Sequence, residues 1–231
     1  MTEQSPTESF PDVRRLLEAR ADLSPDKVFL FDERDARRWT YREFDAAVNR
    51  AANLLSSRGV GKGDVVSLLL PNGAEYVIAY LACFKLGALA GPVNSLLKPE
   101  EIAYVVGNSE ARTLLMHSEF RESVEAARGA LPLLEELIEF DDESVTAEFD
   151  DEPAASWALR EISWDDDAII IYTSGTTGKP KGCLLTHGNL IANARQISGW
   201  LKFTAADRLL TVMPLFHMNA VSVTTLSALY A

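Results

Sequence analysis

The stretch that decides the reading is Ala168 to Gly182, AIIIYTSGTTGKPKG. Ala168 to Tyr172 is an apolar run of the length of a buried strand. Four hydroxyl residues follow it, Thr173, Ser174, Thr176 and Thr177, interleaved with Gly175 and Gly178 and closed by Gly182. Such glycines admit positive φ and close approach of a ligand, and successive backbone amides form a concave anion nest. Lys179 and Lys181 flank Pro180, which fixes the backbone between two ammonium charges. A loop directly after a strand is where an α/β sheet presents ligand-binding groups, and this set of groups suits a polyphosphate. It is not a Walker A loop, because Thr173 stands where the first glycine belongs and Pro180 where the hydroxyl belongs. Gly59, Gly61 and Gly63 precede a strand, whereas a dinucleotide fingerprint follows one, so they read as a tight turn.

Outward from this loop, strand and helix patterns alternate. Thr40 and Glu43 form a capping box, and Phe44, Val48, Ala51 and Leu55 recur at helical spacing until Arg58 and Gly59. Gly61, Gly63 and Asp64 turn into an apolar strand over Val65–Leu70, broken by Pro71-Asn72-Gly73. Ala74–Leu86 reads as a helix stopped by Gly87, followed by a strand over Ala88–Val93. Its apolar run is a poor membrane span, because Glu75 and Lys85 interrupt it. Pro99-Glu100-Glu101 opens a helix reaching Val106, then come a strand over Arg112–Met116 and a helix over Glu119–Arg128. Beyond an acid-rich stretch from Asp141 to Pro153, read as a solvated connection, the pattern predicts a helix over Asn189–Leu201 and a strand over Leu209–Met213. The alternation implies an α/β sheet covered on both faces. The chain divides into a first α/β region over 1–140, an acidic connection and lead-in over 141–165, and the start of a second α/β region with the loop over 166–231.

The 231 residues are 47% hydrophobic and 24% charged, an ordinary globular composition. A formal charge of −12 repels phosphate backbones and disfavours nucleic acid as a partner. Cys83 and Cys183 form no CxxC pair, so neither a disulfide framework nor a cysteine zinc site is indicated. Polar and acidic residues before Arg15 exclude an ordinary secretory signal peptide, and a cytoplasmic location is expected. No charged side chain follows Arg208, and the chain finishes without a helix stop signal, which reads as a core element cut short.

The run YTSGTTGKPKG resembles the phosphate-binding signature of the adenylate-forming superfamily of acyl-CoA and aryl-CoA synthetases, peptide adenylation domains and luciferases. Trp39-Thr40-Tyr41, GVGKGDVVSLLLPNGAEYV from Gly59, Phe84 to Asn94, and PLFHMNA from Pro214 are similar to that family in order and spacing. The resemblance implies the N-terminal part of the large domain of such an enzyme: parallel-rich sheets flanked by helices in two subdomains, the second incomplete. It implies that a carboxylate attacks the α-phosphate of ATP, giving an acyl-adenylate and pyrophosphate, before the acyl group passes to CoA. It further implies that Thr173, Ser174, Gly175, Thr176, Thr177, Gly178, Lys179 and Lys181 take the ATP phosphates, with Thr176 beside Mg²⁺. By the same resemblance His217, Met218 and Asn219 are expected to border the acyl pocket, His217 as a gate for the thiol. Alone, His217 reads as a packed histidine at a strand end, and His187 as local structure at a helix start.

Peptide adenylation domains carry an Asp after the equivalent of Pro214 that pairs with an amino group, and His217-Met218-Asn219 offers no carboxylate. An acyl-CoA or aryl-CoA ligase is therefore implied, of carnitine or medium- to long-chain fatty acid type. The magnesium-holding Glu, the ribose-binding Asp, the hinge and the catalytic Lys of the resembled enzymes belong to later segments, so the 231 residues alone are expected to be inactive. The alternative is a truncated, noncatalytic nucleotide-binding or scaffolding module. A homo-oligomer or a complementing chain is a further expected partner.

Overall fold

The computed structural model describes residues 10–141, 161–173 and 178–231. Two strands, β1 (Val28–Asp32) and β2 (Arg37–Thr40), form an antiparallel hairpin. The other six are β3 (Val65–Leu69), β4 (Leu89–Pro92), β5 (Thr113–His117), β6 (Glu136–Phe140), β7 (Asp167–Thr173) and β8 (Lys181–Thr186). They build one sheet in the order β6-β5-β3-β4-β7-β8. Pairings from β6 through β7 are parallel, and β8 returns antiparallel along β7. Strands from both sides of the acid-rich stretch thus share a sheet. That stretch lies outside the described residues except for Asp141, which is exposed.

The helices are α1 (Val13–Leu23), α2 (Tyr41–Ser57), α3 (Ala74–Leu86), α4 (Pro99–Asn108), α5 (Arg121–Arg128), α6 (His187–Leu201) and α7 (Ser227–Tyr230). Neighbouring residues of a strand face opposite layers. Leu68 and Leu115 join the layer of Phe44, Val48, Leu55, Tyr76, Leu81 and Phe84 from α2 and α3. Leu69, Leu114 and Met116 pack with Ile102, Val106 and Val124 from α4 and α5. β4 lies on one side of β3 and β5 on the other, so right-handed crossovers put α3 and α4 on opposite faces.

The capping box of α2 forms as read: Glu43 N–H donates to Thr40 Oγ1 at 3.2 Å and Thr40 N–H to Glu43 Oε2 at 2.9 Å. Helix α3 starts after Gly73, which has no side chain to cap it, and Asp32 supplies the acceptor from a distance. Ala74 N–H donates to Asp32 Oδ2 at 2.7 Å. Burial works against the Asp32 charge, but hydrogen bonds from Arg34 and the Ala74 amide hold its carboxyl below the usual range. At the other end Gly87 takes φ +69°, the left-handed stop read from the sequence. Every residue of α3 except Glu75 is buried, Lys85 included. Lys85 Nζ is held by Asp45 at 2.7 Å and Glu18 at 3.6 Å. No helix among the described residues is long and apolar enough to cross a membrane.

Three expectations need correction, and one strand is added. Leu209–Met213 is irregular rather than a strand, with Leu210 78% and Val212 73% exposed. An apolar extended run becomes a strand only beside a hydrogen-bonding partner, and no described strand lies next to it. The helix expected over Glu119–Arg128 opens as a 3₁₀ turn over Ser118–Phe120 before α5. The helix expected from Asn189 starts at His187, because Thr186 caps it and Asn189 is the reciprocal partner. Strand β8, unassigned in the sequence reading, pairs with β7 from Asp167↔Thr186 to Thr173↔Lys181.

After the irregular run the chain is clamped to the sheet. Asn72 Nδ2 donates to the Met213 carbonyl at 3.0 Å and Leu215 N–H donates to Asn72 Oδ1 at 2.8 Å. Tyr80 Oη donates to the Leu215 carbonyl at 2.9 Å. A π-helix over Ala220–Leu226 follows, where Thr225 and Ser227 hydroxyls bond to carbonyls five residues back, Ala220 at 3.0 Å and Ser222 at 2.7 Å. We expect amide exchange at Leu215 to stay slow in Asn72→Asp, which keeps the Oδ1 acceptor, and to rise about tenfold in Asn72→Ala. Equal exchange in both variants would show that the clamp does not hold this segment.

His187, wholly buried, joins α6 to the start of α1: Val13 N–H donates to its Nδ1 at 3.4 Å. Its imidazole is pushed down to about 4 chiefly by burial, with Asp12 and Asp166 opposing and Arg14 and Lys62 assisting. An unfolded imidazole titrates near 6.5, so between pH 6.5 and 4 the unfolded chain takes up a proton that the fold refuses. The contribution is complete above about pH 6.5 and is lost on acidification. The urea midpoint should drop from about pH 6.5 to about pH 5, and His187→Asn, which retains an acceptor, should flatten that drop. An undiminished slope in the variant assigns the pH dependence to other groups.

Candidate functional site

The registers Leu68↔Pro92 and Ala90↔Ile169 bring the carboxyl ends of β3, β4 and β7 to one edge of the sheet. Thr173 closes β7, is exposed, and faces Lys181 across the β7–β8 pair. Ser174, Gly175, Thr176 and Thr177, and with Thr176 the metal assignment, lie outside the described residues. On the return side Gly178 has φ +94°, with nothing within 4 Å of where a Cβ would stand, so its backbone and not its surroundings demands glycine. Gly182 differs from the expectation, because its φ is not positive. A Cβ there would stand 3.1 Å from Ile170 Cδ1 and 3.2 Å from Tyr172 Cζ, so the residue is small to let neighbouring side chains cross β8.

Lys179 and Lys181 are exposed. The Lys179 ammonium lies 5.5 Å from the centroid of the Tyr104 ring, within the range of a cation–π attraction. Tyr104 Oη donates to the Pro180 carbonyl at 3.1 Å, and Tyr172 Oη donates to Asn108 Oδ1 at 2.9 Å. Burial, with Tyr104 beside it, pushes the Tyr172 phenol up to about 12, so it remains a donor at neutral pH. Tyr104, Asn108 and Asn72 were not singled out from the sequence. The available signal for the first pair is polar side chains four apart on a helix otherwise apolar from Ile102 onward.

The second group of predicted residues sits beyond the Asn72 clamp. His217 is exposed, with its ring 4.5 Å from that of buried Phe216, and its N–H donates to the Pro214 carbonyl at 2.9 Å. Met218 is half-buried against the core, and Asn219 is exposed at the start of the π-helix. A cavity of about 590 Å³ opens between the β1–β2 hairpin and residues 203–211, lined in part by Phe29, Arg34, Phe203 and Leu215. None of the described sequence-predicted residues lines it. The described root of the loop offers hydroxyl and ammonium groups and no carboxylate, which fits an anion and a metal arriving with that anion better than a metal held by protein ligands.

Comparison with known proteins finds relatives along nearly the whole of this chain. The long-chain-fatty-acid–CoA ligase FadD13 of Mycobacterium tuberculosis is 31% identical over 214 residues, covering 93% of this chain and 42% of that protein. The crotonobetaine/carnitine–CoA ligase of Escherichia coli is 32% identical over 232 residues, covering 95% and 45%. The ATP-bound crystal structure of MatB from Rhodopseudomonas palustris superposes with a TM-score of 0.85 at 26% identity, covering 95% of this chain and 43% of that one. The chain spans less than half the length of the curated relatives it matches. A family model described as AMP-binding enzyme matches residues 17–231, and with the strand-borne loop and the ordered relatives this establishes that the chain belongs to the AMP-binding enzyme family.

Proposed function

We propose that the chain is the N-terminal, nucleotide-binding portion of an ATP-dependent, AMP-forming acyl-CoA ligase. The observation that carries this reading is the root of the 173–181 loop, where Thr173, Lys179 and Lys181 stand at the edge where the parallel strands β3, β4 and β7 end. In this proposal Thr173, Ser174, Gly175, Thr176, Thr177, Gly178, Lys179 and Lys181 surround the β- and γ-phosphates. A substrate carboxylate oxygen attacks the α-phosphorus, and the bond to the bridging oxygen breaks as pyrophosphate leaves. The CoA thiolate then attacks the acyl carbon and AMP departs. Charge neutralisation of the leaving pyrophosphate is the work the lysines do. Mg²⁺, beside Thr176, would add a Lewis acid to the same phosphates.

His217, Met218 and Asn219 belong to the acyl side, with His217 bordering the carboxylate. The names of the relatives support a carboxylic acid of fatty acid or carnitine type and CoA as acceptor. The proposal treats 1–231 as one partial AMP-binding domain acting in the cytoplasm, with completion by further polypeptide or by a complementing chain. On its own it binds MgATP without turning over, because positioning and charge stabilisation act as a unit.

MgATP titration tests this. Lys181→Ala removes an exposed ammonium and should weaken MgATP binding about tenfold or more while the thermal midpoint stays where it was. In a chain completed to the length of the relatives, the same substitution should lower acid-dependent ATP–pyrophosphate exchange. Unchanged MgATP affinity would remove Lys181 from the phosphate site. Absence of exchange across a panel of fatty, carnitine-type and aromatic acids would remove the ligase reading.

A further inference from the structure

We propose that helix α4 is the anchor of the phosphate loop, with Tyr104 and Asn108 as positioning residues that fix both of its flanks. This deepens the proposed function and rests on it for the identity of the ligand, but the anchoring itself is tested separately.

Residues four apart lie on one stripe of a helix. From that stripe Tyr104 takes the return flank, through the Pro180 carbonyl at 3.1 Å, and Asn108 takes the outgoing flank, through the Tyr172 hydroxyl at 2.9 Å. Both bonds cross between elements far apart in sequence. Pro180 lies one residue beyond the last ladder pair, Thr173↔Lys181, and has no N–H to give, so its carbonyl is the one backbone group by which it can be held. Tyr104 holds it. The same ring carries the Lys179 ammonium at 5.5 Å, so hydroxyl and π-face together define where the chain between Gly178 and Lys181 stands. On the other flank, the missing Cβ of Gly182 leaves room for the Tyr172 ring, which would otherwise meet it at 3.2 Å on its way to Asn108. Two fixed points on one rigid helix set the span from which the loop starts and returns. They reduce the ordering that a bound phosphate would otherwise have to impose on Lys179 and Lys181.

Limited trypsinolysis reads this directly. The Lys179–Pro180 bond resists trypsin, so cleavage of Lys181–Gly182 reports release of the return flank. Cleavage of Arg128–Gly129, at the end of α5, serves as the internal control for general opening. We expect Tyr104→Phe, which keeps the ring, and Asn108→Ala each to speed cleavage at Lys181 about fivefold, and Tyr104→Leu to speed it further. Cleavage at Arg128 should stay at the wild-type rate in both Tyr104→Phe and Asn108→Ala. The MgATP concentration that half-protects Lys181 should rise by a similar factor in Tyr104→Phe. Cleavage at Lys181 that is unchanged, or that rises only in step with Arg128, overturns the anchor and assigns these residues to general stability. Faster cleavage at Lys181 alone, with no protection by MgATP even in the wild type, leaves the anchor standing and overturns the phosphate reading instead.

Discussion

Helix α3 has no face to give to water, and the rest of the structure is arranged around that constraint. A helix apolar on all sides must be enclosed on all sides. The sheet covers one face through Leu68, and α2 and α1 cover others with Phe44, Val48, Leu55 and Leu17. α6 and the C-terminal helices complete the enclosure with Leu190, Val221 and Leu226. The one charge inside, Lys85, is tolerated because α2 and α1 bring Asp45 and Glu18 to it. With either carboxylate removed the other still faces Lys85, and removing both strands a buried charge at a cost of about 3 kcal/mol or more. The same enclosure explains why α3 begins on a borrowed cap. A glycine at position 73 lets the chain turn tightly past Arg34, where a Cβ would collide with the guanidinium, and the cap comes from Asp32 on the hairpin instead. The hairpin is thereby tied to the central helix by a carboxylate, and to α2 by aromatic contacts such as Phe29 against Phe44.

The parts of the fold legible in the sequence are those whose determinants are local. The Thr40–Glu43 box, the Gly87 stop, the apolar runs of β3, β4, β5 and β7, and Pro99 opening α4 each act within a few residues, and each appears within a residue or two of its expected place. The failures share the opposite property. Leu209–Met213 carries the apolar composition of a strand, but strandedness is a property of a pair, and the run stands unpaired. β8, with Lys181, Gly182 and an exposed Cys183, has weak strand composition and becomes a strand because β7 lies beside it. The site divides in the same way. The hydroxyls, glycines and lysines of the loop are visible as a run, whereas Tyr104 and Asn72 act on partners 76 and 141 residues away and leave no local trace. Gly182 is the instructive intermediate: its presence was read correctly as meaningful, but the meaning is space for Tyr172 and not freedom of φ.

Charge follows a similar logic of place. The chain as a whole carries −12, and an anion approaching at long range meets a repulsive field. At the loop, however, Lys179 and Lys181 are exposed beside a segment without carboxylates. Many of the other cations are already committed at short range: Lys62 to Asp166 at 2.5 Å, Lys85 to Asp45, Arg34 to Asp32 at 3.0 Å, Arg112 to Glu135 at 2.5 Å. On the proposed reading, a polyanion selects the place where positive charge is left over, and a net acidic surface sharpens that choice by disfavouring the alternatives.

The two candidate halves of the site are held from opposite faces of the sheet. The loop is tied to α4, in the layer of Ile102 and Val106, and the Pro214–Ala220 segment is tied to the end of β3 and to Tyr80 of α3, in the layer of Phe44 and Phe84. Asn72, just past β3, and Thr173, at the end of β7, place both attachments at the carboxyl edge, where β3, β4 and β7 end together. On the proposed reading this geometry has a chemical use. Phosphates held from one face and a carboxylate approached from the other would converge on the α-phosphorus in between, with the leaving pyrophosphate drawn away from the incoming oxygen, which is the alignment an in-line displacement requires. A sheet edge is suited to this because its strands fix the spacing of the two halves at about 4.8 Å per strand, so neither half needs to contact the other for their separation to be set.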